Sequence, residues 1–207
     1  MYALVENGSI IKYLNGNKGL TIGGNQYPKS IFTLWSDAER LAIGVYPVRI
    51  DTTNKQDEEY YINTDITYAV SGNEVVGSYG TPTAKPLDDI LFTQADAEDN
   101  RIPSDKAVGD INAIGLKNQK ISIVKKQAAG LLAPTDWHVV KATEVADYSV
   151  PANISAYRAD VRAKSNEMEG QINACGTVED LKVLYTYTED QNGVVSRPLV
   201  EWPEEVV

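Results

Sequence analysis

The side chains able to do acid–base or nucleophilic chemistry are few and scattered. The chain holds one histidine, His138, two residues after Asp136, and one cysteine, Cys175. An Asp/His pair supports nucleophilic catalysis only beside an activated serine, and no Gly-x-Ser-x-Gly elbow is present. One His with one Cys falls short of a zinc ligand set of those residue types. Asp96, Glu98, Asp99 and Asp105 lack the glycine and closing glutamate of a calcium loop. Gly16, Gly19, Gly23 and Gly24 match neither a P-loop nor a dinucleotide fingerprint, and no Gly-Lys-Ser/Thr follows them. Carboxylate pairs are always to hand among 29 acidic residues, so they carry no information about hydrolysis. The expectation is therefore a non-enzyme with no catalytic, cofactor-binding or metal site. Cys175 stands at the expected end of a helix, just before Gly176, where a thiol needs no chemical role. As a lone cysteine it excludes an intrachain disulfide framework.

Charge narrows the partners. A formal net charge of -10 and the absence of a basic stripe argue against nucleic acid, whose phosphates are met by Lys and Arg. The acidic groups Asp57-Glu58-Glu59, Asp88-Asp89, Asp96 to Asp99 and Glu204-Glu205 read as solvated surface. Met1 is followed by Tyr-Ala-Leu-Val-Glu rather than a basic region and a long apolar run, so no signal peptide is expected. No run approaches the ~18 apolar residues of a membrane span. The expectation is a soluble chain made in a cytoplasm.

The elements that would position any site follow from periodicity. From Ile114 to Ala174 two helical stripes are legible. Ile114, Ile121, Val124, Ala128 and Leu131 form one, and Ile154, Tyr157, Val161, Met168 and Ile172 the other. Pro134 follows the first stripe and Pro151 precedes the second. The spacing predicts an antiparallel helical hairpin, joined by a link containing Thr135-Asp136-Trp137-His138-Val139-Val140. Its narrow stripes leave apolar surface for another domain or chain.

Before the hairpin the pattern is β-rich. Asn7-Gly8 between short apolar runs predicts a tight hairpin turn, and the glycines around Ile22 predict loops and a second turn. Ser36 to Glu39 has the form of a capping box opening a short helix, which Gly44 ends; Trp35 is expected to pack on that helix as a staple. Val45 to Val48 is extended. Residues 59–70 read as one strand, turning at Ser71-Gly72-Asn73 into a partner strand over 74–79. Pro82 and Pro86 lead away from this sheet. Beyond the hairpin, Thr177 reads as the cap of a helix over 178–184, and Asn192-Gly193 as a turn. The tail around Trp202 reads as a docking segment or a frayed end. The fold class is α+β. Residues 1–86 form a small N-terminal domain of β-hairpins with one short helix. Residues 87–110 form an acidic connector with room for a short helix over 86–97. Residues 111–207 form the helical-hairpin domain, with its short helix and acidic Trp-Pro tail.

Four segments carry a resemblance. Trp35 to Val48, reading Trp-Ser-Asp-Ala-Glu-Arg-Leu-Ala-Ile-Gly-Val-Tyr-Pro-Val, resembles a recurrent segment in small tail proteins of bacteriophages. Leu131 to Val140 is similar to the Leu-Leu-x-x-Thr-Asp-Trp-Tyr-Val segment of the same proteins, with His138 where Tyr is commoner. Tyr157-Arg158 and Val161-Arg162 match the core of the helix that follows there. Glu201-Trp202-Pro203 matches the family's ending. Residues 87–110 are not covered. The resemblance implies a tail-fibre assembly chaperone or fibre-associated protein, whose partner is a trimeric tail fibre and, beyond it, other tail or baseplate proteins. It implies a place in the host cytoplasm during assembly, with retention in the virion tail as the alternative fate. A permanent baseplate or fibre subunit is the second reading, and an enzyme acting on host glycans the remote one. The partner-binding candidates are Trp137, His138, Tyr148 and Trp202, since aromatic side chains dominate binding hot spots. The competing role for Trp137 is to close the mouth of the hairpin.

Overall fold

The computed structural model describes residues 1–205; the last two residues of the expected C-terminal domain lie outside the described residues. The fold is mixed α+β, and the chain divides into two units, Met1–Thr83 and Ala84–Val207.

The first unit is built on a five-stranded mixed sheet. Its strands are β1 (Tyr2–Glu6), β2 (Ser9–Leu14), β5 (Val45–Asp51), β7 (Ile66–Ser71) and β8 (Glu74–Tyr79), in the order β2-β1-β5-β8-β7. Asn7 and Gly8 both take positive φ, 50° and 75°, as the tight turn between β1 and β2 requires. β5 joins the two hairpins into one sheet. It runs antiparallel to β1 through Ala3↔Tyr46 and parallel to β8 through Val48↔Val75. The expected strand over 59–70 is broken. Only β6 (Tyr61–Ile62) and β7 form, because Asn63 turns inward, its carboxamide accepting from the Gln56 N–H and donating to the Gln56 carbonyl. β6 pairs with β9 (Thr83–Ala84), which ends the unit.

Strand alternation gives this sheet two cores. Ala3, Val5 and Val75 pack with Ile10, Tyr46, Val48, Tyr68 and Val70. Leu4 and Val45 face the other way, onto Ile31 and Phe32 of α1 (Ile31–Leu34). The sheet curls until its edge strands meet, Tyr13 of β2 lying 5.0 Å from Tyr68 of β7 between ring centroids. α2 (Asp37–Ala42) opens on the expected capping box: Ser36 accepts from the Glu39 N–H and Glu39 accepts from the Ser36 N–H. Gly44 follows α2 at φ 78°. A Cβ there would stand 2.7 Å from the Val5 carbonyl oxygen, so both conformation and space demand glycine. Trp35 packs on the Leu4/Phe32 core and edge-on to Tyr27, a wider role than the staple expected of it. A glycine-rich excursion, β3 (Leu20–Ile22) and β4 (Asn25–Tyr27), turns at Gly23-Gly24 as the sequence suggests.

The second unit begins with the stretch expected to be a connector, and that expectation is corrected. Residues 87–110 belong to this unit. β10 (Ile90–Leu91) pairs with β11 (Ile111–Ala113), and α3 (Gln94–Glu98) lies between them on a capping box from Thr93. Phe92 is buried, and its backbone bonds to Asp110 and Gly109.

α4 (Leu116–Leu132) and α6 (Ala152–Ala174) pack on each other as the hairpin reading predicts. The stripe on α6 is buried as expected. On α4 the stripe is Leu116, Lys120, Val124 and Ala128, stepping by fours. Ile114 is exposed because the helix starts only after Gly115, and Ile121 is half-buried. Lys120 holds the place expected of Ile121. Its stem is buried and its ammonium lies 4.3 Å from the centre of the Tyr185 ring. α7 (Val178–Tyr185) has the expected Thr177 cap and buries Val178, Leu181 and Leu184. β12 (Thr188–Glu189) and β13 (Val195–Ser196) turn at Gly193.

The link between α4 and α6 is the main departure. It is a 3-10 turn (Ala133–Thr135) followed by α5 (Asp136–Glu144), so the two helices are joined through a third. Pro134 opens that turn instead of breaking the chain, because a first-turn residue needs no N–H donor. Asp136 in the first turn of α5 favours the helix by charge.

Candidate partner-binding site

α5 is nine residues long and buries none of them. A helix without a buried face must be held at its ends, and Arg158 of α6 holds the first. Its guanidinium is buried and donates to the Leu132 carbonyl at 2.9 Å, to Thr135 Oγ1 at 2.6 Å and to Asp136 Oδ1 at 2.8 Å. A planar guanidinium spreads its donors over two terminal nitrogens in fixed directions, where an ammonium offers one compact nitrogen. Beyond the helix the chain folds back on its first turn, where His138 Nδ1 and the Tyr148 hydroxyl share a hydrogen bond.

These ties place three of the four expected partner-binding residues together. The Trp137 and His138 rings stack at 3.6 Å, and Tyr148 lies 6.1 Å from His138 and 6.4 Å from Trp137 between centroids. Lys141 completes the group, its ammonium 4.4 Å from the Tyr148 centroid and 5.8 Å from that of Trp137. Trp137 is 53% exposed. It does not close the mouth of the hairpin. Val139, Val140 and Val145 are exposed nearby in sequence.

Trp202 is not with them. It packs on Ala128, Tyr157 and Val161 in the seam of α4 and α6, and its indole N–H donates to Gln127 Oε1 at 3.3 Å. Leu199, just before it, is buried and its N–H bonds to the Leu184 carbonyl. Gln171 holds the same stretch from both sides, donating to the Pro198 carbonyl and accepting from the Val200 N–H. Residues 198–202 are thus an internal strap rather than a free docking segment.

Chemically the α5 group is a rigid aromatic and cationic surface. Asp136 accepts from Arg158, and His138 shares a hydrogen bond with Tyr148. Burial pushes the Cys175 thiol above its ordinary value, which suppresses the reactive thiolate. Burial likewise raises Tyr157. No cluster of His, Cys, Asp and Glu suited to a metal is found among the described residues, and none of their helices is long and apolar enough to cross a membrane.

The sequence reading missed Arg158 and Lys141 as parts of this site. Lys141 stands four residues after Trp137, a spacing that would have paired them had the link been read as a helix. Arg158 carries no local signal, because its acceptors lie 22 to 26 residues away. No family model, curated protein or solved structure matches the chain.

Proposed function

We propose that the protein is a bacteriophage tail-fibre assembly chaperone or fibre-associated protein that covers exposed surfaces of a trimeric fibre, with α5 as its contact. The observation that carries this reading is a helix held away from its own core with Trp137, Val139 and Val140 open to solvent. A side chain fixed by stacking loses little entropy on binding, which suits an anchor. The resemblance supports it further. Its Leu131–Val140, Tyr157–Arg162 and Trp202 segments, distant in sequence, meet around Arg158 and the Ala128/Tyr157/Val161 cluster. An unfinished fibre offers unpaired strand edges and apolar surface, and a partner that shields them prevents aggregation.

Co-expression of the full chain with the cognate fibre tests this. The fibre should be soluble only when the protein is present. Trp137→Ala should weaken the complex by more than ~1 kcal/mol while leaving the chain folded. A fibre equally soluble alone, or a complex indifferent to Trp137, would end the proposal. The permanent-subunit reading is distinguished by the composition of purified virions: a chaperone that leaves is missing from them, a retained protein is present in fixed ratio to the fibre.

A further inference from the structure

The first unit contains a cleft that the fibre-binding reading does not use. It lies between β2, the loop that follows it, and the β3–β4 hairpin, with a cavity volume of about 720 Å³. That is within the roughly 300–1,000 Å³ of small-molecule sites. Phe32, Leu14, Leu20 and Tyr27 give it apolar and aromatic lining. The remaining lining is polar: Lys12, Lys18, Asn15, Asn17, Thr21 and Gln26.

Two properties of this lining bear on a ligand. It contains no carboxylate, in a chain whose acidic residues outnumber basic ones 29 to 19. Its two lysines therefore make a local reversal of charge sign, which concentrates anions. Moreover, all six polar residues are exposed, and none of their side chains has a hydrogen-bond or ion-pair partner among the described residues. Other polar side chains of the unit are committed, Arg49 to Glu74, Asn54 to the Tyr79 carbonyl and Asn63 to Gln56. Donors and acceptors that converge on one concavity without internal partners are available to a ligand.

We propose that this cleft binds an acidic saccharide. Carboxamides of Asn15, Asn17 and Gln26 both donate and accept, as vicinal hydroxyls demand. The Tyr27 ring offers an apolar edge to the C–H side of a sugar and a hydroxyl beside it. Lys12 and Lys18 supply the charge for a carboxylate, in hydrogen bonds stronger than neutral ones. A neutral sugar leaves both ammonium groups unused, and a bare anion leaves the rings and amides unused.

Amide-resolved NMR titration of the full-length protein tests it with three probes: a glucuronic-acid-containing disaccharide, neutral cellobiose and inorganic phosphate. The acidic disaccharide should give saturable shifts concentrated in residues 12–27. The Lys12→Gln/Lys18→Gln protein should bind it about tenfold more weakly or worse, since charge-assisted bonds are lost. The Lys12→Arg/Lys18→Arg protein should retain binding. Unchanged resonances elsewhere in each variant confirm the fold. The proposal is overturned by absence of saturable shifts in this segment, by equal affinity for cellobiose, by phosphate matching the disaccharide, or by indifference to the lysine changes.

Discussion

Arg158 shows how one side chain decides where another element goes. Its ion pair with Asp136 contributes little, since that carboxylate is 59% exposed and screened by water. The bonds to Leu132 and Thr135 matter more, because Thr135 is buried and its hydroxyl has few other partners. Arg158→Ala should cost about 1–2 kcal/mol by these lost bonds. Arg158→Lys should recover only part of it, and Asp136→Asn very little, in thermal or denaturant unfolding. Val161 tests the seam itself. It is fully buried, so Val161→Asp should destabilise by on the order of 3 kcal/mol or more, through an unpaired charge in an apolar site. A variant as stable as the parent would contradict the packing of α4 on α6.

Among the elements, three short helices start on the same device. α2, α3 and α7 each pair a Ser or Thr cap with an acid three residues on: Ser36/Glu39, Thr93/Asp96 and Thr177/Asp180. In each, the cap hydroxyl first and the cap backbone N–H second hold the carboxyl below its ordinary value. Folding therefore favours the ionised form. The stabilisation is complete above the ordinary values, 4.5 for Glu39 and 3.8 for Asp96 and Asp180, and is lost as pH falls through the lower folded-state values. The thermal midpoint should accordingly fall on acidification below about pH 4. Asp180→Asn should flatten part of that dependence while lowering stability at neutral pH. An identical pH profile in Asp180→Asn would remove the α7 cap from the explanation.

For the whole molecule, the division after Thr83 sets where the chain can be cut. Unit 1 has its own cores on both sheet faces, so residues 1–83 should fold alone with a mixed α/β circular dichroism spectrum; a random-coil spectrum would refute this. A cut at Asp110 damages unit 2. It removes β10 from β11 and strips the start of α4 of its acceptors, since the Leu116 and Lys117 N–H groups donate to Pro86 and Leu87. It also removes Asp89, which accepts from the Gly115 N–H at 2.7 Å. Residues 84–207 should therefore unfold cooperatively, and residues 110–207 should be less stable and less helical. Equal stability of the two fragments would make residues 84–109 a connector after all.

The sequence by itself determined what neighbouring residues settle among themselves. The Asn7-Gly8 turn, the Ser36 and Thr177 caps, the α6 stripe and the end of α2 at Gly44 rest on contacts within a few residues, and each is legible in a linear reading. Tertiary structure decided the rest. Only the parallel pairing of β5 with β8 merged two hairpins into one sheet. Only the β10–β11 pairing and the bonds from the start of α4 to Pro86, Leu87 and Asp89 made an acidic stretch part of a unit. Trp137 and Trp202 had the same standing in the sequence, yet one is held out on α5 and the other packed into the α4–α6 seam. That difference comes from Arg158 and Gln171, whose partners lie more than twenty residues away. Side-chain type fixes what a residue can bond to, but over such separations only the folded path of the chain fixes which partner it meets.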